Sequence, residues 1–173
     1  GVYYDIVRNP GSISYNMPFA YTFPEGVTTE MLKKAMITVL SAHKILGTHF
    51  EIQDTDVVQV YPENFEPSIS ITEAKTEEEF NALKADFVKP FNPATGPLYR
   101  VEIVDCGSKV CMFMDTLHLV MDGASISLFL KQLSDALSGI EPEAEAYTFF
   151  NYAVDELQLP KTAEYAASEN YFT

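Results

Sequence analysis

The first clear period in the chain alternates Met17, Phe19, Tyr21 and Phe23 with smaller residues, as in a half-buried strand, and Pro24-Glu25-Gly26 breaks it. Leu32, Ala35, Met36, Val39 and Leu40 then recur at helical spacing, predicting a helix from about Thr29 to Ala42 with Thr28 or Thr29 as its cap. His49 to Ile52 and Val57 to Tyr61 read as a hairpin turning through Gln53-Asp54-Thr55-Asp56. Ile69 and Ile71 suggest a further short strand. Thr76 followed by Glu79 is a capping box, opening a helix to about Val88 with Phe80, Leu83 and Phe87 inward. Pro90, Pro93, Gly96 and Pro97 leave little room for regular structure in the connection that follows.

The next two strands run from Leu98 to Val104 and from Val110 to Val120. The second is apolar on both faces, as a central strand covered on each side must be. Ile126, Phe129, Leu130, Leu133 and Leu137 mark a helix that stops at Gly139. Glu141 to Ala146 is an acidic linker, and Tyr147 to Leu157 and Thr162 to Tyr171 read as helices separated by Pro160. Strands and helices are intermixed and the strand pairs have short connections. The expectation is an α+β layered fold with a mixed or mostly antiparallel sheet.

Composition narrows the function classes. Of 173 residues, 47% are hydrophobic and 13% aromatic, a globular composition with enough chain for one core. A net charge of −14 would repel a phosphate backbone, which argues against nucleic acid as a partner. No apolar run approaches the roughly 18 residues of a membrane helix, and the N-terminus lacks the basic-then-apolar pattern of a signal peptide. Cys106 and Cys111 flank a turn at Gly107-Ser108-Lys109 and are too few for a zinc site, so reduced thiols and a cytoplasmic location are expected. The three histidines are too scattered to propose a metal centre. The chain begins at Gly1 and stops at Thr173 within a helical pattern, so it reads as a piece of something longer.

Candidate chemistry lies at the end of the central strand. Alternation from Val110 places Met112, Met114, Thr116, His118 and Val120 on one face, with Asp115 and Leu117 on the other. The chain then turns at Met121-Asp122-Gly123 and enters a helix at about Ser125. A strand end feeding a helix N-terminus is a rigid place to hold a reactive side chain beside free N–H groups. A histidine among apolar residues is also often a satisfied core residue, and Asp-Gly is ordinary turn chemistry, so the residues alone leave both readings open.

His118-x-x-x-Asp122-Gly123 resembles the second half of the His-His-x-x-x-Asp-Gly motif of the condensation domains of nonribosomal peptide synthetases, and Ser125 matches the serine that follows it. Such a string occurs by chance in about one in a hundred chains of this length. Three further segments resemble the family in order: Ser14-Tyr15-Asn16-Met17-Pro18-Phe19, His43 to Phe50, and Pro90-Phe91-Asn92 through Gly96-Pro97-Leu98-Tyr99-Arg100. The resemblance implies a chloramphenicol acetyltransferase-like fold and identifies residues 1–173 with the N-terminal lobe of a two-lobed domain. It implies His118 as the catalytic residue, with Asp122, Gly123 and Ser125 supporting the motif.

The departures are Leu117 in place of the first histidine, Lys44 in place of a glutamate, and Ala42 and Gly47 in place of two arginines, one of which should pair with Asp122. Asp122 would then need solvent, hydrogen bonds, or another cation, for which Arg100, Lys44 and His43 are the candidates. His43 and His49 read as structural or solvated.

The implied activity joins a donor acyl thioester on one phosphopantetheine arm to the amine of an acceptor on a second. No cofactor is bound directly. The implied partners are peptidyl or acyl carrier domains, the C-terminal lobe and an adenylation domain. Two other readings are a condensation-like docking module without catalysis and an O-acyltransferase of the same superfamily.

Overall fold

The computed structural model describes residues 1–143 and 145–172, without the side chains of Glu164, Asn170 and Phe172. It divides into two units, Gly1–Pro142 and Glu143–Thr173.

In the first unit the elements run α1 (Val2–Arg8), β1 (Phe19–Thr22), α2 (Thr29–Ala42), a 3-10 turn (Lys44–Gly47), β2 (His49–Gln53), β3 (Asp56–Val60), β4 (Ser70–Glu73), α3 (Glu77–Phe87), β5 (Tyr99–Asp105), β6 (Val110–Thr116) and α4 (Gly123–Leu137). Strands β1, β6, β5 and β4 form one sheet in that order. The β1–β6 and β5–β6 pairs are antiparallel and the β4–β5 pair is parallel, so the sheet is mixed, as expected. Strands β2 and β3 form a separate antiparallel hairpin.

Helices cover both faces of the sheet. On one face α2 and α4 lie side by side, and Leu32, Met36, Val39, Leu40, Phe129 and Leu133 meet Val101, Ile103, Met112 and Met114. On the other, Phe80 and Phe87 of α3 tilt against Phe113 at ring distances of 5.2 and 5.5 Å, beside Val104, Cys111 and Leu83. All seven residues of β6 are therefore buried. Each large apolar side chain so covered contributes about 1.5–3 kcal/mol.

The local sequence signals act as expected. Thr28 accepts from the Met31 N–H and starts α2. The Thr76–Glu79 capping box is closed in both directions. Gly139 takes φ +82° just beyond the end of α4, a conformation that a side chain would strain. Helix α1 has no counterpart in the pattern reading. It is short, and its Val2-Tyr3-Tyr4 run has strand propensity; Ile6 is its buried residue, joining the main core.

One boundary differs in a way that matters. The apolar run from Val110 was expected to continue as a strand to Val120, but β6 ends at Thr116. Leu117 makes a single bridge to Asn16, and residues 118–120 turn. The run persists because Val120 and Met121 re-enter the core from the turn, so hydrophobicity alone does not mark the strand's end.

A fully buried carboxyl group also lies on β6. Asp115 has no exposed surface and faces Arg100 across the β5–β6 ladder, with Arg100 Nη1 donating to Oδ2 at 3.0 Å. Asn16 Nδ2 donates to the same oxygen at 2.7 Å. The guanidinium also donates to the carbonyls of Lys89 (2.5 Å) and Pro90 (3.3 Å) and lies over the Phe91 ring at 3.9 Å. Burial pushes the Asp115 carboxyl above its ordinary range, opposed first by the Asn16 hydrogen bond and then by the Arg100 charge. Burial likewise lowers Arg100, with Asp115 opposing.

The second unit holds α5 (Phe149–Gln158), a 3-10 turn (Leu159–Lys161) containing Pro160, and α6 (Ala163–Phe172). Thr148 and Asn151 form a capping box for α5. No described residue of this unit is buried. Within the expected acidic linker, Ala144 lies outside the described residues, as does Thr173 at the end of the chain.

Two stability measurements test this account. Thr76→Ala should cost about 1 kcal/mol in urea unfolding, through loss of the cap. For Asp115, the folded carboxyl ionises at higher pH than the unfolded one. Its favourable contribution is full below about pH 3.9, the unfolded value, and is lost as pH rises through the folded value. Asp115→Asn should therefore gain on the parent between pH 4 and 7, and a gain by the parent over that range would contradict it.

Candidate functional site

The end of β6 is gripped from both sides by main-chain hydrogen bonds. On one side Met17 N–H donates to Thr116 O at 2.8 Å and His118 N–H to Tyr15 O at 2.9 Å; on the other, Leu117 N–H donates to Leu98 O at 2.9 Å. Val120 N–H then closes the turn onto Leu117 O at 3.0 Å. The expected face shared by Met112, Met114, Thr116, His118 and Val120 is thereby broken. Met112, Met114 and Thr116 stay buried, whereas His118 leaves the strand and its side chain is exposed. The reason is geometric: alternation holds only while the chain is extended, and the turn rotates His118 out of the pleat. It is not a core histidine.

Asp122 is the N-cap of α4, which begins at Gly123 rather than at Ser125. Its Oδ1 accepts from the Ser125 N–H at 2.8 Å and from Ser125 Oγ at 2.7 Å. These bonds hold the Asp122 carboxyl below its ordinary value, burial opposes slightly, and His118 adds a smaller favourable charge. His118, Asp122 and Ser125 are therefore brought together at one solvent-facing corner. A Cβ on Gly123 would meet nothing within 4 Å, so packing inside the fold does not demand that glycine.

Asp122 is thus exposed and satisfied by hydrogen bonds. Of the cations considered for it, Arg100 is committed to Asp115. His43 Nε2 lies 2.5 Å from Gln132 Oε1, and Lys44 Nζ lies 5.6 Å from the centre of the Tyr61 ring. His49 is half-buried and bonds to Glu51 at 3.0 Å. Two of the departures have packing reasons. Leu117 is 2% exposed and belongs to the main core. At Gly47 a Cβ would come within 2.6–2.8 Å of the Phe65 ring, so the space an arginine would enter is occupied.

The sequence reading did not find the Arg100–Asp115–Asn16 cluster. A signal existed: counting outward in equal steps from the turn at Gly107-Ser108 brings Arg100 opposite Asp115. Among the described residues no group of three or more His, Cys, Asp or Glu could hold a metal ion, and no helix is long and apolar enough to cross a membrane.

Comparison with known proteins places the chain as a whole. The family model described as "Condensation domain" matches residues 1–173. The chain belongs to the condensation domain family. Surfactin synthase subunit 1 of Bacillus subtilis (strain 168) is 30% identical over 160 residues, which is 92% of this chain and 4% of that protein. Tyrocidine synthase 3 of Brevibacillus parabrevis is 30% identical over 161 residues, 92% of this chain and 2% of that protein. The crystal structure of the starter condensation domain of rhizomide synthetase superposes with a TM-score of 0.82 at 17% identity, covering 98% of this chain and 46% of the solved one. The first condensation domain of the calcium-dependent antibiotic synthetase gives 0.76 at 16% identity, covering 99% and 44%. The fold is thus the chloramphenicol acetyltransferase-like α+β fold of condensation domains, and the coverage fits one lobe of such a domain. The chain spans less than half of those solved domains and a few per cent of the synthetases.

The cap on this condensation domain's α4 has a defined pH signature. Asp122 ionises at lower pH folded than unfolded, so its contribution is full above about pH 4 and is lost as pH falls through the lowered folded value. Asp122→Ala should lower the melting temperature at pH 7, and the gap should shrink below pH 4. A gap unchanged down to pH 2 would mean that the carboxylate does not carry the cap.

Proposed function

We propose that this chain is the N-terminal lobe, residues 1–173, of a synthetase condensation domain that forms an amide between a carrier-bound acyl or peptidyl thioester and a carrier-bound aminoacyl acceptor, with His118 at the reacting centre. The observation that carries the reading is the exposure of His118 on a turn held by main-chain hydrogen bonds. A rigid scaffold presenting one imidazole to solvent is what positioning and proton transfer require.

In the reaction the acceptor nitrogen attacks the thioester carbonyl carbon and the C–N bond forms. The carbonyl electrons move onto oxygen, giving a tetrahedral oxyanion. His118 accepts the amine proton, or holds that amine by a hydrogen bond, since an imidazole is available as a base near neutral pH. Collapse of the oxyanion breaks the C–S bond, and the departing thiolate takes up the proton as the phosphopantetheine thiol. Asp122 keeps the start of α4 ordered beside His118, and Ser125 completes that cap. Gly123 leaves its N–H at the corner without a side chain in front of it.

Phosphopantetheine arms of carrier domains bring both substrates, and the protein binds no further cofactor directly. A C-terminal lobe supplies the other wall of the channel. Adenylation and carrier domains are the neighbours in a cytoplasmic synthetase, a reading supported by the named synthetase relatives.

The departures are compatible with activity. Asp122 is satisfied without an arginine, and Leu117 occupies a core position that does not face the corner. That ranks a working enzyme above a docking module.

His118→Ala in the full synthetase should lower product formation by about 100-fold or more, the scale of a lost acid–base group. Unchanged turnover, measured as product per loaded carrier, would defeat the reading. The isolated 173 residues should give no detectable product.

A further inference from the structure

The turn that presents His118 is tied down by a segment outside the catalytic motif. Tyr15, Asn16 and Met17 run antiparallel to the end of β6: Tyr15 O takes the His118 N–H, Asn16 bridges Leu117, and Met17 N–H reaches Thr116 O. This stretch lies before β1; on its N-terminal side Asn16 N–H closes a turn onto Ile13 O at 3.0 Å and the Tyr15 hydroxyl bonds to Asp5 of α1. Its side-chain anchor on the sheet is the Asn16 amide. The two Nδ2 hydrogens go to two different elements, one to Asp115 Oδ2 on β6 at 2.7 Å and one to Lys89 O in the connection after α3 at 2.9 Å. Arg100 bonds to both of those same acceptors, at 3.0 and 2.5 Å. The amide is thus locked into a cluster that is itself fixed across the β5–β6 ladder.

We infer that Asn16 is a positioning residue for His118: by pinning Tyr15 to the buried Asp115–Arg100 pair it fixes the carbonyl that holds the His118 main chain. The inference rests on the catalytic reading of His118 and assigns that reading a support lying about a hundred residues away in the chain. Asn16 touches no reacting atom. Its effect passes through one hydrogen-bonded main-chain step, and a displacement of about 1 Å at a reacting centre costs on the order of 100-fold in rate.

The test uses the full synthetase with its own loaded carrier domains. Asn16→Ala should lower kcat at least tenfold while KM stays within about threefold, because the group being moved acts on the reaction step rather than on binding. Hydrogen-exchange mass spectrometry on the same proteins should show the peptide spanning 116–121 exchanging about tenfold faster, with peptides of the β5–β6 core unchanged. Thr76→Ala, a destabilised control far from the corner in sequence, should keep the parent kcat. Should Asn16→Ala fold poorly, Asn16→Ser is read by the same criteria, since its short hydroxyl cannot serve both acceptors.

The inference is overturned if kcat of the Asn16 variant stays within twofold of the parent. It is equally overturned if kcat falls without faster exchange at 116–121, or if Thr76→Ala loses kcat to the same degree. His118→Ala is run alongside. If it keeps turnover, the catalytic reading fails; if it loses turnover while Asn16→Ala does not, only the positioning role fails.

Discussion

A carboxylate without exposed surface sits on the most buried strand of this protein, and much of the architecture answers to it. Asp115 lies on β6, whose two faces are covered by α2 and α4 on one side and by α3 on the other. A charge there is tolerated only with partners, and the fold supplies Arg100 from the facing strand and Asn16 from the segment before β1. Arg100 in turn collects the carbonyls of Lys89 and Pro90 and stacks on Phe91, which gives the proline-rich connection a fixed course without secondary structure. Losing one partner of such a pair typically costs about 3–5 kcal/mol, while the intact pair gains little over an apolar replacement. The upward shift of Asp115 says the same: burial outweighs pairing. Geometry is therefore what the cluster provides, in a region where the chain would otherwise be free to choose among several paths.

That geometry reaches the corner where His118 stands. The strand ending at Thr116 hands over to a turn whose main chain is bonded to Tyr15 and Leu98, and His118 emerges into solvent at that point. Asp122 then caps α4 with Ser125. The corner is built from three supports of different kinds: a buried charge cluster, a main-chain ladder and a helix cap. Each acts on the backbone and leaves the imidazole open to solvent. Two of the family features missing from this chain fall on positions that packing has taken over, with Leu117 turned inward and Phe65 filling the space against Gly47.

Much of this was legible in the sequence. Apolar periodicity located α2, α3 and α4 to within a few residues, because a helix on a sheet must present one continuous apolar stripe. The caps at Thr28 and Thr76 and the stop at Gly139 were readable because their signals are local, involving a side chain and an N–H three residues on, or one positive φ. The four segments shared with condensation domains pointed to the family, and the full-length family match agrees with them. The candidate site residues His118, Asp122, Gly123 and Ser125 were all named from the motif, and the fold brings His118, Asp122 and Ser125 to one corner.

The sequence by itself determined most of the helices and strands other than α1, which of their faces are apolar, and which residues match the family motif, since each rests on spacing within a few positions. Only the tertiary structure decided where β6 ends, that His118 is exposed, that Asp122 is a cap rather than half of an ion pair, and that Arg100 belongs to Asp115. Those facts depend on partners far away in the chain: Tyr15 and Asn16 lie about a hundred residues from His118 and Asp115. An apolar run reads alike whether it continues as a strand or turns back into the core. A buried charge chooses the cation that folding places opposite it, and no local pattern records that choice.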